Sequence, residues 1–440
     1  MSLLRAWQAT VRRDPTAPAL YQPGRATPWT RQELADLGAR WSAQAGRAQP
    51  TNSSAFSGRA IFFSELNGPA WFERFFGILL LGGTPAPLDP GEPAAAQRAI
   101  ARAAGGAFFA TAAGLEPLTG GRVRRWDAAL IKTTSGSVGR PRALGFTAAQ
   151  MLADGRQVMA TMGFGPRDLN FALIPLGHSY GLGNLVLPLL ARGTALACSA
   201  ANVPHGWARE IRALRPTVFP AVPPLLAALA DSAVAASDLE SLRVIISAGS
   251  PLAPAIAARF HQRFDRKVHN FYGSSETGGI AYDRTGDCTL TGRSVGRPLR
   301  GVRLKFGVGD RFTVTSAAVV RGAYRPADRG RLNSRGELEL QGRTGRTVKL
   351  AGRRVDLAEV EKALLRLPGV QGAAVFLPAG GRGLAAAVAG KVSLSSRALV
   401  AALQADLAAW KIPRRWQILE RFPVTGRGKV DTRALQNLFA

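Results

Sequence analysis

The stretch Thr133-Thr134-Ser135-Gly136-Ser137-Val138-Gly139-Arg140-Pro141-Arg142 (TTSGSVGRPR) gathers hydroxyls, glycines and cations into one short run. Glycines let the backbone fold back and bring its N–H groups close to a ligand, while hydroxyls and flanking cations add donors aimed at the same concave spot. That composition suits phosphate. It is not a Walker loop, because no Gly-Lys-Ser/Thr follows at the required spacing and no lysine opens a helix. In isolation a glycine-serine stretch is most often only a turn, so the surrounding chain has to decide.

Working outward, short apolar runs bounded by turn residues alternate with alanine- and leucine-rich segments of helical spacing, the pattern of parallel α/β organisation. Strands are expected at 60–63, 171–175, 194–198, 217–220, 244–247 and 268–271, with helices at 71–81, 148–159, 224–230 and 254–264. From about Leu299 the texture becomes alternating and strand-like (VRLKFG, RFTVTSAAVV, ELELQGR, TVKLAG), which favours antiparallel sheet. After Arg343, Asp356 stands as a cap before a helix (DLAEVEKALLRL), followed by two strands (GAAVFLP, GLAAAVAG), a second helix (SSRALVAALQADLAAW) and a final strand and helix. The expected architecture is α/β: a large N-terminal domain of mainly parallel layers with a small antiparallel, barrel-like part, then a small, mobile α+β C-terminal domain. The boundary is placed at 341/342, giving domains 1–341 and 342–440, because the two glycines of Gly342-Arg343-Thr344-Gly345 permit a swing there.

A chain of 440 residues exceeds one ordinary core, and a hydrophobic content of 46% excludes disorder as the default. Cys198 and Cys288 provide neither a disulfide framework nor a metal-ligand spacing. The most apolar run, 75–81, falls well short of a bilayer span, so a cytoplasmic protein without a membrane span is expected. The charge is unusual: 57 basic against 29 acidic residues leave a formal +28. Nucleic-acid binding is the alternative this raises, but the cations are overwhelmingly arginines dispersed along the chain, with no basic stripe interleaved with aromatics. The excess still suits anionic partners such as nucleotides, coenzyme A or an acidic carrier protein.

Six further segments follow the loop or precede it: WFERFFGILLLGGTPAPLDP (71–90), PLGHSYGLG (175–183), ISAGSPL (246–252), NFYGSSETGG (270–279), YRPADRGRL (324–332) and GRTGRTVKLAGRRVDLAEVE (342–361). PVTGRGKVDTRAL (423–435) closes the series. In this order they resemble the adenylate-forming superfamily of acyl-CoA synthetases, luciferases and peptide-synthetase adenylation domains, over roughly residues 27–435. The resemblance implies a two-step ligase. A carboxylate attacks the α-phosphate of ATP, held with Mg²⁺, to give an acyl-adenylate and pyrophosphate; a thiol of CoA or of a carrier protein's phosphopantetheine then displaces AMP.

The same resemblance assigns residues. Thr134, Ser135, Gly136, Ser137, Gly139 and Arg142 would cradle the β- and γ-phosphates, with Gly249 beside the nucleotide. Tyr272 would stack on adenine, Ser275 touch the α-phosphate and Glu276 hold the metal; Asp328 would accept from the ribose hydroxyls and Arg343 reach the ribose or α-phosphate. Lys429 would bridge the incoming carboxylate and the α-phosphate. His178, Ser179, Gly181, Ala248 and Gly273 would line the acyl pocket, where Gly181, Gly183, Ala248 and Gly249 suggest space. Lys349 and Gly352 would face the thiol tunnel after a swing about Gly345. No aspartate stands in the pocket segment to pair with an α-ammonium, so a plain aryl or fatty acid is favoured over an amino acid. Val138, Arg142, Pro326-Ala327 and Gly345 depart from the family's usual residues. An adenylate-forming fold that has lost catalysis and acts as a binding protein is the second reading they leave open.

Overall fold

Ala60–Phe63, Ala195–Cys198, Val218–Ala221 and Val244–Ser247 are buried at every position. Strands covered on both faces belong to parallel sheets layered with helices, and the computed structural model shows two such sheets. It describes residues 1–47, 56–134, 142–343, 346–350, 353–378, 383–390, 394–404, 406–425 and 430–439.

The larger sheet has a parallel centre in the order Val268–Ser274, Val244–Ser247, Val218–Ala221, Leu169–Ala172, Ala195–Cys198 and Pro18–Tyr21. Antiparallel strands flank it, Gly278–Tyr282 and Arg297–Pro298 on one side and Trp29–Thr30 on the other. The smaller sheet runs Thr84–Pro87, Ala60–Phe63, Phe108–Thr111 and Gly114–Pro117. Between the sheets lies an aromatic core from the helix Pro69–Leu80, whose Trp71, Phe72, Phe75 and Phe76 are all at most 1% exposed. Phe76 stacks on Trp7 with ring centroids 4.8 Å apart. No helix among the described residues is long and apolar enough to cross a membrane.

Most expected elements stand within a residue or two of their reading. The helix expected at 148–159 runs Ala148–Met162, opened by Thr147 and Gln150 in a reciprocal cap and ended by Gly163 at φ 71°. The strand expected at 171–175 stops at Ala172, and the cause is Asn67. Its amide donates to the carbonyls of Ala172 (3.0 Å) and Ile174 (2.8 Å) and its oxygen accepts the N–H of Leu176 (2.9 Å), so a side chain replaces a neighbouring strand. The long helix expected from SSRALVAALQADLAAW is shorter, Ser396–Leu403, with a separate 3₁₀ turn at Ala409–Lys411.

The antiparallel part is a three-stranded sheet (Arg303–Phe306, Phe312–Thr315, Ala323–Tyr324) and a hairpin of Asp328–Leu332 with Leu338–Arg343. The C-terminal segment then builds its own core from Val355, Val360, Leu364, Val370, Val388 and Leu399. Its elements are the hairpin Thr347–Leu350 with Arg353–Asp356, the helix Leu357–Leu365 capped by Asp356, and the sheet Val370–Phe376, Ala385–Gly390 and Arg415–Leu419. Gly342, near the end of the strand Leu338–Arg343, sits at φ 108°, and a Cβ there would come within 2.9 Å of Ala358. Asp356 also pairs with Arg329, and the Lys362 ammonium donates to the Leu340 carbonyl at 2.5 Å.

Candidate active site

The phosphate-type loop is held at its ends by a hairpin. Leu130–Thr134 pairs with Arg142–Phe146, Thr134 standing opposite Arg142, which is exposed. Ser135, Gly136, Ser137 and Gly139, with Val138, lie outside the described residues.

The strand Val268–Ser274 carries Tyr272 and Gly273 to the end of the parallel sheet and turns back as Gly278–Tyr282. A bulge between Tyr272 and Gly273 shifts the register, as bulges do where a side chain is re-aimed. Gly273 has no room for a side chain, since a Cβ would lie 2.4 Å from the Gly278 carbonyl oxygen. The turn between the two strands presents Ser275 and Glu276, both half-buried. It is fixed by the Thr277 hydroxyl, which accepts the Ser274 N–H at 3.2 Å, and by the Val320 N–H, which donates to the Glu276 carbonyl at 2.9 Å.

Three contacts bring distant segments together here. The Tyr272 hydroxyl donates to the Asp328 carboxylate at 2.8 Å. Arg343 stands opposite Asp328 in the hairpin register. The Ser179 hydroxyl donates to that of Ser275 at 2.9 Å, tying the segment expected to bind the acid to the one expected to bind the α-phosphate. His178 turns its Nε2 to the Asp89 carboxylate at 3.2 Å, a partner that the sequence reading left without a role. The next residue after Ser179, Tyr180, is half-buried, packs against Phe271 and donates to the Ile246 carbonyl at 3.3 Å; burial of its hydroxyl, reinforced by the charge of Tyr282, pushes it well above the usual range. Ala248 and Gly249 follow the strand Val244–Ser247, Ala248 buried and Gly249 at φ 90°.

Two glycines read as leaving space have other reasons for lacking a side chain. A Cβ on Gly181 would stand 2.0 Å from the Pro175 carbonyl oxygen, and one on Gly183 would stand 3.3 Å from an Asp154 carboxylate oxygen. Both are packed against neighbouring groups where the sequence reading expected open pocket.

A buried pair of charges beneath the site escaped the sequence reading. Lys132, in the strand entering the phosphate-type loop, is 1% exposed, and Asp154, on the helix Ala148–Met162, is 3% exposed. Burial pulls the lysine below its usual range and pushes the aspartic acid above its own. Each charge opposes the other's shift, and Glu276 is the second charge acting on Lys132. The signals were a lone cation inside the apolar run ALIKTT and a lone anion on the Met151, Gly155, Val158 face of its helix.

In the C-terminal hairpin Lys349 lies opposite Arg354. Gly345, Gly352 and Lys429 lie outside the described residues. Among the described residues no group of three or more His, Cys, Asp or Glu could hold a metal by itself. A single carboxylate, Glu276, fits a hard cation that takes its other oxygens from phosphates and water.

Comparison with known proteins gives the site a family. The model of the AMP-binding enzymes matches residues 113–307 and that of the AMP-binding enzyme C-terminal domain residues 359–429. The phenyloxazoline synthase MbtB of Mycolicibacterium paratuberculosis is 29% identical over 364 residues, covering 71% of this chain and 30% of MbtB. The feruloyl-CoA synthase of an Amycolatopsis species is 26% identical over 337 residues, 69% of this chain and 68% of that one. The chain spans between 4% and 30% of the length of the first curated relatives it matches. Among solved structures, ATP-bound MatB from Rhodopseudomonas palustris superposes with a TM-score of 0.84 at 18% identity, covering 100% of this chain and 99% of that one. Motif order, fold and both family models agree: the chain belongs to the adenylate-forming superfamily of AMP-binding enzymes.

Proposed function

We propose that this protein activates an aryl or fatty carboxylic acid as its acyl-adenylate, consuming ATP and releasing pyrophosphate, and then passes the acyl group to the thiol of CoA or of a carrier protein. The observation that carries this reading is the convergence of Tyr272, Asp328, Ser179 and Ser275 through two hydrogen bonds, at 2.8 and 2.9 Å, drawn from three separate sequence segments. The aryl preference takes support from the names of the feruloyl-CoA and phenyloxazoline synthases.

The chemistry needs an anionic acid brought against a triphosphate, so pre-oriented donors around the transferred phosphorus carry the rate. Tyr272 gives a flat face for adenine, Asp328 an acceptor for the ribose and Arg343, opposite it, a cation. Ser275 offers its hydroxyl to the α-phosphate, while the loop after Thr134 takes the terminal phosphates. Mg²⁺ held at Glu276 would neutralise phosphate charge. Lys429, on a C-terminal domain beginning at 342 and swinging about Gly345, bridges the two reacting oxygens; Lys349 and Gly352 serve the thiol step in the second orientation.

The test is carboxylate-dependent exchange of labelled pyrophosphate into ATP over benzoates, cinnamates and fatty acids. Exchange with one class supports the reading; no exchange over the panel, with ATP binding shown separately, supports the non-catalytic alternative. Two variants probe the assignments. Asp328→Ala removes hydrogen bonds to a charged acceptor, each worth roughly 1.5–3 kcal/mol, so the KM for ATP should rise about ten- to hundredfold in protein that is still folded. Lys349→Ala should leave exchange within about twofold and slow thioester formation by roughly tenfold or more, the split expected of a group met only after the swing.

A further inference from the structure

The segment Arg122-Val123-Arg124-Arg125-Trp126 puts three cations beside an indole, and the fold gathers them around a cavity of about 580 Å³ that Gly105 and Ala143 also line. That volume falls within the roughly 300–1,000 Å³ of small-molecule sites. None of the described residues given a role in adenylation lines it. Ala143 alone of the lining residues belongs to the strand Arg142–Phe146, which leaves the phosphate-type loop.

The backbone that carries the arginines is pinned on both sides. The Arg124 N–H donates to the Gly105 carbonyl at 3.0 Å, and the Trp126 N–H donates to the Gly58 carbonyl at 2.8 Å. Arg125 bridges to Arg59 through the backbone, and its Nη2 donates to the Ser57 carbonyl at 3.3 Å. Gly105, at φ 77°, leaves no room for a side chain, since a Cβ there would lie 2.6 Å from that of Arg124. The Arg124 guanidinium stands 4.1 Å from the centre of the Trp126 ring. Contacts that involve no anion thus hold the cations close together.

Arg122, Arg124 and Arg125 are exposed, and none pairs with a carboxylate among the described residues, Asp127 included. By contrast Arg98, on the helix that ends at Ala103, has Glu116 at 2.6 Å. Like charges gathered without a counter-charge repel one another and draw in anions. Trp126 adds a separate sign of a ligand. It is 8% exposed, and its indole N–H is buried with no acceptor among the described residues. Native proteins rarely leave such a donor unmet.

We propose that this cavity is a second anion site, which takes the phosphates of a small polyphosphorylated molecule. Several forked cations around one concavity call for more anionic oxygens than a single carboxylate supplies, and guanidinium forks match phosphate oxygens in pairs. A nucleotide and free pyrophosphate both carry that chemistry. The site stands on its own contacts and does not depend on the adenylation reading.

The test reads Trp126 in the full chain, with the eight tryptophans labelled with ¹⁵N and W126F identifying its indole signal. At fixed ionic strength, ADP or pyrophosphate should move that signal saturably, with a midpoint below about 1 mM. The tighter of the two names the source. R122A/R124A should raise the midpoint roughly tenfold or more, and R122A alone, which leaves Arg124 over the indole, should raise it in the same direction. D328A, which weakens the proposed nucleotide site, should leave it within about twofold. A signal unmoved by both ligands, or moved equally by sodium sulfate, would overturn the site. A movement that D328A abolishes and R122A/R124A keeps would overturn it too, because it would be relayed from the nucleotide. So would a signal that moves only with duplex DNA.

Discussion

Replacing Lys429 by alanine is expected to cut pyrophosphate exchange by about 10²–10³-fold while changing ATP affinity by less than roughly threefold. The magnitude is that of deleting one pre-oriented donor from the charge developing at a transition state. The split follows from position. The acid, when it attacks, brings a negative oxygen against a negative phosphate, and a cation bridging the two acts on that encounter alone. On the roles proposed above, the adenine, ribose and terminal phosphates would be served by Tyr272, Asp328 and the loop entered from Thr134, none of which Lys429→Ala replaces. Exchange and calorimetry on one preparation check both halves, and a variant with parent exchange rates would remove Lys429 from the reaction.

Asp154→Ala is expected to cost about 3–5 kcal/mol of stability at neutral pH, because it leaves the buried charge of Lys132 without its leading counter-charge and the Gly279 N–H without its Asp154 acceptor. Asp154 is 3% exposed and supplies the leading opposing charge to Lys132. Without it, burial would pull the lysine further down than it already stands. A lysine whose folded pKa is depressed binds fewer protons folded than unfolded, so stability rises with pH between the folded value and the ordinary value of about 10.4. The deficit of Asp154→Ala should therefore shrink as pH is raised from 7 towards 10. Denaturant melts at three pH values would show it; a deficit that grew with pH would mean that Lys132 is not the group left unpaired.

The sequence made the fold legible where punctuation was local. The Ala60–Phe63 and Val244–Ser247 strands and the Pro254–Phe264 helix lie where they were expected, because turn residues or a proline mark their edges. The Leu169–Ala172 strand ends early for a reason held a hundred residues away, in Asn67. The site divides the same way. Tyr272, Ser275, Glu276 and Asp328 stand out by motif, and the structure draws Tyr272 to Asp328 and Ser275 to Ser179. Lys132, Asp154 and Asp89 did not stand out, because a charge in an apolar run acquires meaning only with its partner, and each partner lies on another element. Gly181 and Gly183 misled for the converse reason: a missing side chain signifies open space or close packing, and only the neighbouring Pro175 carbonyl and Asp154 carboxylate distinguish them.

The hydroxyl contact between Ser179 and Ser275 has a thermodynamic consequence. If acid and nucleotide occupy the two segments it joins, each ligand acts on one end of a shared bond, and their affinities are coupled. Reciprocity then requires that whatever factor a bound acid applies to nucleotide affinity, the nucleotide applies to the affinity for the acid. A good substrate would announce itself at equilibrium, before any bond is made, by tightening the hold on an unreactive ATP analogue.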